Sequence, residues 1–225
     1  MHRPAPPAVL AATLLALLPG PGGATPFTVD PTTGAIVVHA ARAGLLSGFA
    51  HDHRLLAERW RAEVAWDLEG SGAVDVRVVV DASSLRETTT RLGPSSRARI
   101  DREVASPDVL DAQRYPDIRV HATGVLASPP RGEEEREGEL RAEVALHGET
   151  RLLLVPFRVK ASGAGFRVQG TVVLRQSEFG MTPFTTALGT IGVDDELRIE
   201  FDLLLRADLR PADAPAALSS RPRMP

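Results

Sequence analysis

Apolar and polar residues alternate along much of the chain, and the pattern is clearest between Glu139 and Arg175. The extended runs in this stretch are 140–146, 151–160 and 166–175. Short links that contain Gly148 and Gly163 separate them. Because successive side chains of a strand point to opposite faces of the sheet, this pattern predicts an antiparallel meander with one apolar and one polar face.

Further strands are predicted on both sides of the meander. Runs of alternating or β-branched residues cover 36–41, 63–69, 73–82, 117–126 and 196–206, and an earlier strand begins near Phe27. The total is about eight or nine strands at hairpin spacing, which is typical of a small closed barrel or of a sandwich. Residues 96–105 have helical character. Ser106 is predicted to cap a second short helix that ends near Ala112.

Composition sets the size of the core and excludes several kinds of site. The chain has 225 residues, of which 43% are hydrophobic and 24% charged, enough for one stable core without cross-links. It contains no cysteine, which excludes disulfides and thiolate chemistry. A net charge of -3 and an aromatic content of 4% argue against a nucleic-acid partner, which requires a basic surface or stacking rings.

The first residues have the pattern of a targeting segment. An apolar run covers residues 8–18, Arg3 precedes it, and the small residues 22–24 follow it. This order predicts a signal peptide over residues 1–24 and a mature protein that starts near Thr25, in the periplasm or outside the cell. The apolar run is too short to anchor the chain in a bilayer, so no stable membrane span is expected after cleavage.

The rest of the chain carries few signs of chemistry. Residues 207–225 are rich in Pro, Ala and Ser, so we expect a disordered tail after a folded domain over residues 25–206. No Gly-x-Ser-x-Gly, His-Glu-x-x-His or phosphate-loop motif is present. The acidic residues 194–196 indicate a charged turn, because nothing pairs with them at a defined distance. We therefore expect a protein without enzymatic activity, and no pattern indicates its oligomeric state.

The apolar faces of the strands must turn away from water, and a closed barrel turns them inward. Because aromatic residues are scarce, most inward positions carry Val, Leu, Ile or Ala, which fill less space than a ring. A barrel of eight strands lined in this way has room for one apolar small-molecule ligand, and the alternative is a solid packed core. The candidate ligand-binding residues of the lumen are Val64, Trp66, Val168, Val172, Ile199 and Phe201.

Several stretches together resemble the YceI-like family. They are 81–85, 105–120, 146–150, 175–180 and 191–197, and their order and spacing follow the family from about Phe27 to Arg206. The most specific part is a small helix that ends in Tyr115-Pro116 before a strand, followed later by Leu146-His147-Gly148. The resemblance implies an all-β, lipocalin-like antiparallel barrel of eight strands with one or two short helices. It also implies a periplasmic protein whose lumen holds an isoprenoid or related lipid chain.

One stretch departs from the family pattern, and it contains His51-Asp52-His53. In a strand, His51 and His53 lie on one face, and a His-x-His pair can present two imidazoles to one divalent metal. A third ligand would have to come from elsewhere, with a carboxylate or one of these histidines as candidates: His39, His121 and His147. A metal-dependent protein is therefore the alternative function, whereas the simpler interpretation of the stretch is a polar turn at the barrel mouth. His147 lies in the family's Leu-His-Gly and is predicted to be a structural turn residue.

Overall fold

The structure is a computed structural model that describes residues 23–43, 52–163, 165–186 and 191–207. Within these ranges it contains twelve strands, one α-helix and two 3-10 turns. The strands in chain order are β1 Thr25–Val29, β2 Ala35–Ala43, β3 His53–Ala57, β4 Trp60–Trp66, β5 Ala73–Asp81, β6 Leu85–Glu87, β7 Asp117–Val125, β8 Glu135–Leu146, β9 Glu149–Ser162, β10 Gly165–Arg175, β11 Thr185–Thr186 and β12 Ile191–Ala207. The helix α1 is Pro94–Ala105, and the 3-10 turns are Ala82–Ser84 and Gln176–Phe179.

Three predicted features lie wholly or largely outside the described residues. They are the signal peptide of residues 1–24, the tail of residues 207–225 and the candidate metal ligand His51. All three stay predictions. No helix in the described ranges is both long enough and apolar enough to cross a membrane.

The sheet closes on itself as a barrel. Its strand order is β1-β4-β5-β7-β8-β9-β10-β12, and β12 returns to β1 through the pairs Phe27–Ala207 and Val29–Leu205. The strands β2, β3 and β6 continue β1, β4 and β5 beyond short interruptions and pair in the same order. The prediction of an all-β, lipocalin-like antiparallel barrel of eight strands is therefore confirmed.

The alternation of the sequence separates the interior of the barrel from its surface. In β8, for example, Leu140, Ala142, Val144 and Leu146 are buried, while the residues between them are exposed or half-buried. The same period of two runs along β4, where every second residue is buried. The buried sets of these strands meet in a common core cluster.

The two ends of the barrel differ. At the end where β1 begins and β12 finishes, the rings of Phe27, Trp66 and Phe166 pack with centroids 5.0 to 6.5 Å apart. We call this aromatic cluster the floor. The opposite end, the mouth, carries α1, β6 and both 3-10 turns. There the Glu87 backbone N–H donates to Asp101 Oδ1 at 2.7 Å and ties α1 to β6.

The barrel wall contains one incomplete strand pairing. β10 pairs with β9 only where Gly165–Gly170 faces Phe157–Ser162. Pairing ends next to Pro156, which has no backbone N–H to donate. Towards the mouth the two strands continue without mutual ladder bonds, and we call this stretch the seam. Its outer rim carries Leu152, Leu154 and Val173, whose exposed fractions are 62%, 54% and 50%.

The prediction of a second short helix from Ser106 to about Ala112 is wrong. Ser106 ends α1, and its hydroxyl donates to the Glu103 carbonyl oxygen at 2.6 Å instead of capping a new helix. The chain then turns back, so that the Ala112 N–H donates to the Ala105 carbonyl oxygen at 3.1 Å. Asp111 has a φ of 43°, a left-handed value that a continuing α-helix does not allow.

The last strand is longer than its alternation predicts. β12 begins at Ile191, whereas the alternating run begins at residue 196. Its pairing with β2 changes register within 193–197, which is the mark of a β-bulge. In this bulge the Asp195 carboxylate accepts hydrogen bonds from the Ser177 backbone N–H at 2.8 Å and hydroxyl at 2.7 Å. The acidic residues predicted as a turn therefore lie within a strand and hold the Gln176–Phe179 turn.

Candidate ligand-binding cavity

A cavity of about 900 Å³ occupies the interior of the barrel. Small-molecule sites in proteins typically measure roughly 300–1,000 Å³, so the cavity is large for this class. The structure places all six predicted lumen residues on its wall: Val64, Trp66, Val168, Val172, Ile199 and Phe201. The interior is therefore not a solid packed core, and whether these residues bind a ligand stays a prediction.

Short side chains explain why the interior is open. Along β5 the cavity is lined by Val74, Val76, Val78 and Val80, and β7 adds similar aliphatic residues. A valine reaches less far from the wall than a leucine or a phenylalanine would. An eight-stranded barrel lined by small side chains retains space that larger ones would fill.

The two phenylalanines of the middle wall pack beside glycines. Gly138 faces Phe157 across the β8–β9 pair, and Gly170 faces Phe201 across the β10–β12 pair. A Cβ atom on Gly138 would lie only 2.6 Å from the Phe157 ring, and one on Gly170 would meet the Phe201 ring. The rings therefore occupy the space that side chains at the glycine positions would take.

The polar residues of the cavity wall are gathered at the mouth. Among the described residues they are His53, Ser96, Arg99, Glu103 and Gln176, and the remaining wall is apolar apart from Gly192. Gln176 is engaged, because its Nε2 donates to the Asp194 carbonyl oxygen at 2.7 Å. The exposed residues of the wall, Arg99, Glu103 and Phe184, also lie at this end. The cavity therefore reaches the surface beside α1.

One face of α1 supplies most of this polar rim. One helix face carries Ser96, Arg99, Ile100, Glu103 and Val104, which lie at positions i, i+3, i+4, i+7 and i+8. Ile100 and Val104 pack against the core of the barrel. The helix thus places an apolar edge over the lumen and a polar edge at its rim.

His53, the first residue of β3, is held by a buried carboxylate. Its Nδ1 lies 2.7 Å from Glu87 Oε2, and the Glu87 side chain is fully buried. Glu87 also accepts hydrogen bonds from the backbone N–H groups of Thr89 at 2.7 Å and Arg54 at 3.4 Å. Burial acts to raise the pKa of Glu87, but hydrogen bonds from Thr89, His53 and Arg54 outweigh it and hold the pKa below its ordinary 4.5.

The state of Glu87 decides what His53 presents to the cavity. An ionised carboxylate only accepts hydrogen bonds, so Nδ1 of His53 carries the proton and donates it to Glu87. The ring lines the cavity, and within the described part of the chain its Nε2 makes no hydrogen bond. His53 therefore presents at the mouth a ring nitrogen, oriented by Glu87, that has no hydrogen-bond partner among the described residues.

The structure does not gather the histidines considered as a third metal ligand. His39 Nε2 lies 3.0 Å from Glu200 Oε2, and His121 Nε2 lies 2.9 Å from Asp75 Oδ2. His147 forms the β8–β9 turn with a φ of 53° and donates from Nδ1 to the Phe179 carbonyl oxygen at 3.2 Å. Among the described residues no group of three or more His, Cys, Asp or Glu side chains could hold a metal. The metal hypothesis for His51 and His53 stays a prediction.

Sequence reasoning misses Glu87, Ser96 and Arg99 as residues of the mouth. A signal for Glu87 exists, since it follows Leu85 at a spacing of two and so takes an interior position of β6. A charged residue at an apolar position indicates a buried polar partner. For Ser96 and Arg99 no local signal exists, because the helix pattern does not tell which element α1 covers.

A closed eight-stranded barrel with an apolar cavity that opens at one end defines the lipocalin-like class of binding barrels. Within that class the chain belongs to the YceI-like family, since the family model of the YceI-like domain matches residues 27–205.

Solved structures show the same fold. The chain is similar to BcnA from Burkholderia cenocepacia, with 19% identity and a TM-score of 0.58 over 78% of this chain and 98% of that chain. It is also similar to a polyisoprenoid binding domain from Saccharophagus degradans that is implicated in plant cell wall breakdown. That likeness has 13% identity and a TM-score of 0.58 over 80% of this chain and 98% of that chain. No curated protein matches the chain.

Proposed function

We propose that this protein is a non-enzymatic carrier that holds one apolar chain, isoprenoid-like or fatty-acyl, in the barrel lumen. The observation that carries the proposal is the cavity of about 900 Å³, apolar along its length, bounded by the floor and open at the mouth. The description of the Saccharophagus degradans relative as a polyisoprenoid binding domain supports it.

The energetics of burial favour such a ligand. Each methylene group transferred from water to an apolar site contributes about 0.8 kcal/mol. Ten such groups contribute about 8 kcal/mol, which offsets the lower part of the estimated cost of association, about 4–15 kcal/mol, and each further methylene adds to the gain. A longer chain binds more tightly for as long as the lumen has room for it.

Val172→Trp tests the proposal, and Val173→Trp is its matched control. The two residues are neighbours on β10, but Val172 lines the cavity and Val173 is half exposed on the outer surface. We expect the indole of Val172→Trp to occupy the lumen and to weaken binding of palmitic acid and geranylgeraniol by about tenfold or more, equivalent to about 1.4 kcal/mol. Val173→Trp should bind as the wild type does.

The measurement is uptake of each chain by delipidated protein, followed by titration and by native mass spectrometry. Circular dichroism shows whether both variants keep the fold, since overpacking costs about 1–3 kcal/mol in a filled core and less beside a cavity. Delipidated wild type that takes up neither chain would show that the carrier function is wrong. Equal binding by the wild type and Val172→Trp would show that the lumen is not the binding site.

We also propose that the protein acts in the periplasm or outside the cell. The support is the signal-peptide pattern of residues 1–24, after which β1 begins directly at Thr25. Expression in a bacterial host followed by N-terminal sequencing of the periplasmic protein should give Thr25 or a close neighbour as the first residue. Intact Met1 in the periplasmic fraction would contradict the proposal.

A further inference from the structure

The polarity of the cavity wall changes from one end of the barrel to the other. The floor is built from aromatic rings, and the wall above it is aliphatic. The polar wall residues, by contrast, are found at the mouth. A pure hydrocarbon would make no polar contacts with such a rim, whereas an amphiphile matches both the apolar wall and the polar mouth.

We propose that the mouth is a head-group site and that the ligand is a single-chain amphiphile with an anionic carboxylate head held by Arg99. This inference rests on the proposed carrier function.

Arg99 is the cation that this site requires. Its side chain lines the cavity and is exposed, and across the described ranges it has neither a hydrogen-bond nor an ion-pair partner. Asp101, two residues further along α1, is directed to the Glu87 N–H and so does not neutralise it. An unpaired guanidinium offers a planar pair of N–H donors that matches a carboxylate.

Ser96 and His53 add two further polar groups to the wall of the mouth. The Ser96 hydroxyl can donate a hydrogen bond from one turn earlier on the same face of α1. The Nε2 atom of His53, oriented by Glu87, accepts a hydrogen bond when the ring is neutral and donates one when it is protonated. The ionised head can accept this bond from the protonated ring only, so Arg99 and Ser96 hold the head when the ring is neutral.

The rim carries exposed charges of both signs, Arg99 and Glu103. Glu103 is exposed, and its carboxylate can remain in water when an anionic head binds to Arg99. The Glu87 carboxylate is fully buried and already accepts hydrogen bonds from His53 and two backbone N–H groups, so it has little left for a ligand. An anionic head can accept hydrogen bonds from Arg99 and Ser96, whereas a cationic head finds one exposed carboxylate, that of Glu103, on the described wall.

The experiment compares three amphiphiles that share one chain length: palmitic acid, hexadecanol and hexadecylamine. Delipidated wild type, Arg99→Gln and Arg102→Gln are titrated with each below its micelle concentration at neutral pH. Arg102 is the matched control because it lies on the same helix and is exposed but does not line the cavity. We expect palmitate to bind most tightly and Arg99→Gln to weaken it by about tenfold while leaving hexadecanol nearly unchanged.

Two further readouts separate a specific head-group contact from a general effect. Arg99→Lys keeps the charge but not the planar fork, so it should bind palmitate with intermediate affinity. Added salt should reduce the difference between wild type and Arg99→Gln, since the site is open to solvent. Arg102→Gln should behave as the wild type for all three ligands.

The outcomes distinguish this inference from the carrier function. If hexadecanol or hexadecylamine binds more tightly than palmitate, or if Arg99→Gln weakens all three ligands equally or none, the head-group site is wrong. In that case the carrier function still holds provided that the ligands bind wild type and not Val172→Trp. If no amphiphile binds the wild type, both proposals are wrong.

Discussion

At the scale of single residues, Glu87 is a charged residue whose side chain is fully buried at the mouth of the barrel. Such a burial is unfavourable unless every oxygen lone pair that faces the protein has a donor. His53, Arg54 and Thr89 provide those donors. They also explain why a pKa below the ordinary value persists in a buried position. Glu87 therefore stabilises the native state through its ionised form.

The variant Glu87→Gln should reduce the free energy of unfolding by about 1–3 kcal/mol at neutral pH. The reason is that a neutral amide accepts weaker hydrogen bonds than a carboxylate, and its NH2 group faces N–H donors with which it cannot hydrogen-bond. Since the folded-state pKa of Glu87 is lowered, its contribution is fully present above about 4.5 and is lost as the pH falls through the folded-state value. The difference between wild type and variant should therefore close in acid.

Urea unfolding over a series of pH values measures this difference. Glu58→Gln is a suitable control because Glu58 is half exposed, 3.5 Å from Arg86, and such surface pairs contribute little. A difference that stays constant down to the lowest pH at which the protein is folded would contradict the role given to ionised Glu87.

The same residues show how far the sequence predicts the site. Val172 and Ile199 can be assigned to the lumen because a period of two determines which face each side chain takes. The contact between His53 and Glu87 joins residues 34 positions apart and depends on the register of β3 against β6. No local pattern specifies that register. The lumen wall was therefore predictable, while the mouth was not.

At the scale of elements, local patterns predict the positions of the strands more accurately than the points at which strand pairing ends. The β9–β10 hairpin is evident from alternation, but the seam begins next to Pro156, inside the predicted run 151–160. The helix α1 is predicted from residue 96 and begins at Pro94, where proline fits the first turn without losing a hydrogen bond. Ser106 is a residue type that is typical of a helix N-cap, but here it ends α1. A serine hydroxyl can hydrogen-bond to backbone groups that precede it as well as to groups that follow it.

At the scale of the whole molecule, a barrel with a floor and a mouth is a blind tube. A chain that enters tail first has to leave along the same path, with the methylene nearest the head returning to water first. The transition state for full release exposes the whole chain, so each further methylene should slow dissociation by about fourfold, the factor that corresponds to about 0.8 kcal/mol.

Stopped-flow release of a series of saturated fatty acids measures this dependence, with the logarithm of the rate falling linearly as the chain lengthens. A rate that does not depend on length would mean that the chain escapes sideways, and the seam between β9 and β10 would then be its exit. Because the aromatic rings close one end of the barrel, the residence time of a bound chain should increase with the length of that chain.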